Sequence, residues 1–161
     1  MMKEYLWILV RAVLILVCAS IIGLGVNLIN PKSLPWKYTP PKELDVRGVK
    51  VPLIDEKTAY MLFGSEGTVF VDTRKREDYA ERHVQGAVFL TPEEKEEQFS
   101  AVQPLLPEEA RLILYCYGPE CEMAEQVADF LAQLGYNNMM IMSAGFHAWE
   151  EAGYPVEGKR K

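Results

Sequence analysis

Histidine is scarce in this chain, with two in 161 residues, and there are only three cysteines. His83 and His147 lack an evident third partner, which argues against a Cys-His-Asp hydrolase. Cys18 lies in an apolar N-terminal stretch, whereas Cys116 and Cys121 share one short segment, so the cysteines form neither a disulfide framework nor a zinc-ligand spacing. Positive charge is also in short supply. A formal net charge of −6 and an isoelectric point near 5.0 leave no basic patch of the kind that neutralises phosphates, and nucleic acid is not expected as a partner. No metal site and no cofactor motif emerges, so neither a metal nor a cofactor is expected.

The length leaves room for one globular domain plus an appendage. From Tyr5 to Ile29 the chain is apolar apart from Arg11, Ser20 and Asn27, and Ala12 to Ile29 carries no charge. As a helix, that uncharged stretch rises about 27 Å against a hydrocarbon core of about 30 Å. Residues 1–29 therefore read as a single transmembrane anchor helix. It reads as uncleaved, because no small-x-small site follows the apolar core, and Val17 stands where a lipoprotein site at Cys18 would need a small residue. Cys18 is then a small apolar packing residue. Lys3 and Arg11 flank one side of the segment and Lys32, Lys37 and Lys42 the other. The short basic N-terminus favours a cytoplasmic N-terminus and an extracytoplasmic, periplasmic domain. Residues 30–50 open with four prolines in twelve positions and read as a stiff tether, with Trp36 and Tyr38 placed to rest at a membrane interface.

Beyond the tether, short apolar runs alternate with helical periodicities. Asp55 caps a short helix through about Phe63, and the strand Thr68–Val71 leads directly into Asp72. A polar helix spans about Glu77–Arg82, a strand Ala87–Leu90, and Thr91-Pro92 opens a further helix whose Glu93–Glu97 run is a solvated face. Strand 111–115, helix 122–134, strand 138–142 and a last helix 145–151 complete the pattern. Such alternation predicts an α/β domain with a mainly parallel sheet, whose ligands collect at the carboxyl ends of the strands.

Cys116 falls at such an end. The apolar run Leu112-Ile113-Leu114-Tyr115 reads as a buried strand, and Met123, Ala124, Val127, Ala128, Leu131 and Leu134 recur at helical spacing until Gly135. Cys116-Tyr117-Gly118-Pro119-Glu120-Cys121 lie between them. A sulfur there faces unpaired N–H groups and the positive end of a helix dipole, which favour a thiolate. Gly118 permits the curl of the loop and Pro119 restricts it.

The segments Val71-Asp72-Thr73-Arg74, Tyr79, His83-Val84, Gly86-Ala87, Tyr115-Cys116, Ala144 to Trp149 and Gly153 to Val156 stand in an order that resembles rhodanese domains, over residues 51–157, leaving 158–161 as a basic tail. The resemblance implies a rhodanese-like three-layer α/β fold and a membrane-anchored sulfurtransferase. Cys116 would be the catalytic cysteine that takes sulfane sulfur from a small donor as a persulfide and passes it to a thiol or protein acceptor. Asp72 and Arg74 would organise the sheet edge near the active loop, and His83 would support a turn. Where many active rhodanese domains carry arginine and then serine or threonine, this chain has Cys121 and Glu122. Glu120 and Glu122 bring negative charge beside the sulfur and disfavour a dianionic donor such as thiosulfate relative to low-charge or persulfide donors. Cys121 is a packing residue in one reading. In another it attacks a persulfide on Cys116 or forms a disulfide with it, making a redox or persulfide-carrying module. A noncatalytic protein-binding fold is the third reading. A cysteine phosphatase is disfavoured, because Glu122 stands where an oxyanion-clamping arginine would be needed.

Overall fold

The computed structural model describes residues 2–29, 43–119 and 121–159, and the chain divides into two units, residues 1–40 and 41–161. In the first, helix α1 runs from Met2 to Ile29. Trp7, Ile8, Leu9, Val13, Leu14, Ile15, Leu16, Ile21 and Ile22 are all exposed on it. Among the described residues no helix is long and apolar enough to cross a membrane, so the transmembrane anchor expected from the sequence is not supported there. The side chains of residues 1–4, 6, 24 and 27–29 lie outside the described residues, as do residues 30–42, which include Trp36, Tyr38 and most of the expected tether.

The second unit begins earlier than the sequence suggests. Residues 43–50, read as tether, build strand β1 (Glu43–Val46) and the start of β2 (Val49–Ile54), which pair antiparallel. Arg47 and Gly48, at φ 54° and 83°, make the two-residue turn between them. The chain continues through α2 (Glu56–Leu62), β3 (Thr68–Asp72), α3 (Arg76–Glu81), β4 (His83–Val84) and β5 (Val88–Phe89). It then forms α4 (Lys95–Val102), a 3-10 turn at Gln103–Leu105, β6 (Arg111–Tyr115), α5 (Met123–Gln133), β7 (Met139–Met142), α6 (Gly145–Glu151) and β8 (Val156–Glu157). The six-stranded sheet has the order β1-β2-β7-β6-β3-β5, parallel throughout except for β1, and β4 pairs antiparallel with β8 in a separate ribbon. This is the expected mainly parallel sheet flanked by helices.

Alternation along the central strands sorts side chains between two cores. On β6, Leu112 and Leu114 face a core shared with Val71, Ile141 and the α5 residues Ala124, Val127, Ala128 and Leu131. Ile113 and Tyr115 face the opposite core with Phe70, Ala59 of α2, and Phe146 and Trp149 of α6. Trp149 is fully buried and donates its Nε1–H to Pro155 O at 2.9 Å. Cys116 follows Tyr115 and so turns to the α5 side of the sheet.

Three local expectations change. The helix expected to open at Thr91-Pro92 begins at Lys95, because residues 92–94 form turns and the Thr91 hydroxyl bonds the Glu93 carboxylate. Gly118 has no positive φ, so the loop does not owe its curl to glycine's conformational freedom. The expected basic tail is in part docked. Gly158 sits at φ +137° with the Glu81 carbonyl in the space a Cβ would fill, while residues 160–161 lie outside the described residues.

Candidate active site

The loop after β6 is cross-linked, since Cys116 and Cys121 form a disulfide with their Cα atoms 6.4 Å apart. This separation lies within the range such bonds allow. Cys116 is buried, at 4% exposure, and Cys121 is half-buried. Cys121 donates its N–H to Gly118 O at 3.1 Å, which closes a tight turn just before the first turn of α5. A cavity of about 40 Å³ adjoins the pair, lined in part by Leu53, Pro119, Glu125, Ile141 and Ser143. It has room for about one water molecule. Tyr117 is half-buried and donates its hydroxyl to Asp78. Burial first, and then that hydrogen bond, raise its pKa above the ordinary tyrosine value. Glu122 is exposed, and Glu120 lies outside the described residues.

The loop is held from behind by the start of α6. Phe146 N–H donates to Cys116 O at 2.7 Å and His147 N–H to Tyr117 O at 3.5 Å. Gly145 makes this approach possible. It lies at φ +72°, and a Cβ there would stand 2.4 Å from Gly118 N and from the Tyr117 carbonyl group. In the sequence Gly145 stands in the motif of residues 144–149, with no local signal of a role at the loop. Gly145→Ala is therefore expected to combine left-handed strain of about 1–3 kcal/mol with a backbone clash that displaces Cys116. Thermal melting and the rate of sulfur loading should fall together. Gly135→Ala is the control, because its φ is +96° but open space surrounds it, and it should lower the melting temperature alone.

Asp72 and Arg74 form a buried pair at the end of β3, with the Arg74 guanidinium 5.8 Å from the Tyr117 ring of the loop. Asp72 is wholly buried. Its Oδ2 accepts from Arg74 Nη2 at 2.7 Å and from the Tyr115 hydroxyl at 2.8 Å, and its Oδ1 accepts from Arg74 N–H and Nε at 3.0 and 3.1 Å. Arg74 also donates to Arg82 O at 2.6 Å and lies 3.8 Å over the Phe146 ring. Burial opposes the charge of Arg74, yet the hydrogen bonds and charge of Asp72 outweigh it and raise its pKa. Burial, and then the Asp72 charge, push the Tyr115 hydroxyl well above its ordinary value. Tyr115 accepts from Val84 N–H at 3.0 Å, so the network ties β3, β4 and β6 together beneath the loop. His83 bridges α3 and β8. Its Nδ1–H donates to Tyr79 O at 2.6 Å, and its Nε2 stands 3.1 Å from Glu157 Oε1. The Gly86 N–H, and then His83, hold the Glu157 carboxyl below the usual range.

This strand-loop-helix geometry has known counterparts, and residues 56–152 match the rhodanese-like domain family. The chain belongs to that family. Its rhodanese-like domain is 29% identical over 104 residues to the thiosulfate sulfurtransferase GlpE of Actinobacillus succinogenes, covering 65% of this chain and 88% of that protein. Among solved structures, the BH2092 protein of Bacillus halodurans is 29% identical with a TM-score of 0.58, covering 66% of this chain and 76% of that one. The rhodanese-like domain of the Anabaena protein Alr3790 is 24% identical with a TM-score of 0.56, covering 67% of this chain and 80% of that one, and this likeness shows the fold alone. Sulfurtransferase activity is thus supported for this chain at the level of the family. Among the described residues no cluster of His, Cys, Asp and Glu could hold a metal ion.

Proposed function

We propose that the reduced protein is a sulfurtransferase that carries sulfane sulfur as a persulfide on Cys116 and delivers it to a thiol or protein acceptor. The observation that carries this reading is the position of Cys116 immediately beyond the central strand β6, ahead of α5, in a rhodanese-like domain. A sulfur there meets the partial positive charge of a helix N-terminus, which favours an anionic nucleophile and an anionic persulfide. With the disulfide intact Cys116 has no free valence, so loading needs a reduced loop. Glu125 borders the cavity and the exposed Glu122 directly follows Cys121 in the chain, which favours donors of low charge. Intact mass of the reduced protein, after removal of excess donor, is expected to rise by one sulfur with a polysulfide and less completely with thiosulfate. Absence of the gain with both donors would overturn the assignment.

Separately, from the uncharged run of residues 12–29 in the sequence, we propose that the N-terminal segment anchors the protein at a membrane, with the N-terminus cytoplasmic and the domain outside. The apolar side chains of α1 are exposed around the helix rather than along one stripe, and a helix apolar on all sides needs an apolar surrounding. A reporter active only outside the cytoplasm, fused after Lys161, is expected to be active in a membrane fraction. Activity of a cytoplasm-only reporter at the same point would reverse the orientation, and recovery of the protein away from membranes would remove the anchor.

A further inference from the structure

We propose that Cys121 is a resolving cysteine, so that the protein reduces sulfane sulfur to sulfide and does not only pass it on. This rests on the persulfide at Cys116 argued above. Cys121 stands where its sulfur is joined to Cys116 Sγ, the Cα atoms being 6.4 Å apart. In a persulfide, Cys116 Sγ is the inner sulfur, and it is the atom that Cys121 reaches. The two halves of the loop are held differently. Cys116 and Tyr117 are pinned through their carbonyls to the start of α6, whereas Cys121 joins them through the turn from Gly118. Cys121 therefore approaches a fixed target. Once the disulfide has formed, the adjoining cavity has room for about one water molecule, and the displaced sulfur leaves.

The step balances as a thiol–disulfide exchange. The Cys121 thiolate attacks Cys116 Sγ, the bond between Sγ and the outer sulfur breaks, and the outer sulfur departs with that electron pair and its proton as hydrosulfide. A zero-valent sulfur gains two electrons and the two cysteines lose two, ending as the disulfide present in the structure. A dithiol reductant, of protein or small-molecule origin, exchanges with that disulfide to restore both thiols and is itself oxidised to a disulfide. Position 121 thereby sets the fate of the sulfur, since a residue without a thiol there would leave the persulfide for an external acceptor.

The test uses the full chain, reduced and freed of reductant, then given cysteine persulfide in single-turnover amount. Sulfide release and intact mass with disulfide mapping are followed in the wild type, Cys121→Ser and Cys121→Ala. The wild type is expected to release about one sulfide per chain and to regain the 116–121 disulfide, while both variants keep the added sulfur and release at least about tenfold less. Equal release in all three proteins, or a wild type that keeps its persulfide with both loop thiols unjoined, would overturn the resolving role and leave the transferase reading standing. A wild type that never acquires sulfur and releases none would overturn the persulfide reading and this one with it. Loading of Cys116→Ser at Cys121 would reverse the two roles and so reject the assignment.

Discussion

Cys116→Ser is expected to take persulfide loading and sulfur transfer to background, a loss of at least about a thousandfold, as removal of a reacting nucleophile does elsewhere. A serine hydroxyl in this position neither ionises comparably nor accepts sulfane sulfur. The side chain is similar in size, and although the bond to Cys121 is lost, the Cys116 carbonyl stays held by Phe146 N–H, so far-UV circular dichroism should be unchanged. Intact mass after exposure to polysulfide and an acceptor-dependent transfer assay measure the effect. Transfer at the wild-type rate in this variant would remove Cys116 from the chemistry altogether.

Asp72→Ala carries the largest expected cost in stability, about 3–5 kcal/mol, because it strands a charged guanidinium in the interior. Arg74 is only 3% exposed and Asp72 not at all, and the Tyr115 hydroxyl loses its acceptor in the same substitution. Asp72→Asn keeps one acceptor oxygen and the side-chain volume, so it should lie between the wild type and the alanine variant. The shift in urea midpoint at constant slope reads the difference. An alanine variant as stable as the wild type would mean that Arg74 finds water or another carboxylate once Asp72 is gone. A loss of loading no greater than the loss of folded protein is the result expected if Asp72 supports the loop without entering the reaction.

The legible parts of the fold are those written by local pattern. Strand β6 is an uninterrupted apolar run, α5 repeats its apolar residues at helical spacing, and the Asp55 side chain accepts from Thr58 N–H at 2.8 Å in the predicted cap. The hairpin at 43–54 was hidden by its composition, because Arg47-Gly48 is a weaker turn signal than Asn-Gly or Asp-Gly, and its stabilising ion pair joins Arg47 to Asp129 at 2.7 Å, far along the chain. Strands β4 and β8 are two residues each and match His83 with Glu157, a pairing no local window contains. At the site, Cys116, Asp72, Arg74 and His83 could be read as residues in a pattern. The clamp of α6 on the loop carbonyls could not, since it is a backbone relation between segments separated by a helix and a strand. The proximity of Cys121 to Cys116 rests on one distance, which only the folded chain contains.

The order of strands has a consequence for how the molecule is made. β2 takes its parallel partner from β7, matching Leu53 with Ile141 and Ile54 with Met142, so nearly the whole domain lies between two strands that are neighbours in space. The N-terminal end emerges first, and β2 waits with an open edge until residues 139–142 arrive. Contacts this distant in sequence close late and slowly, and an unpaired strand edge invites association with other chains in the interval. The hairpin formed by β1 covers the outer edge of β2 as soon as residues 43–54 are made, so on β2 only the edge that β7 later takes stays open during synthesis.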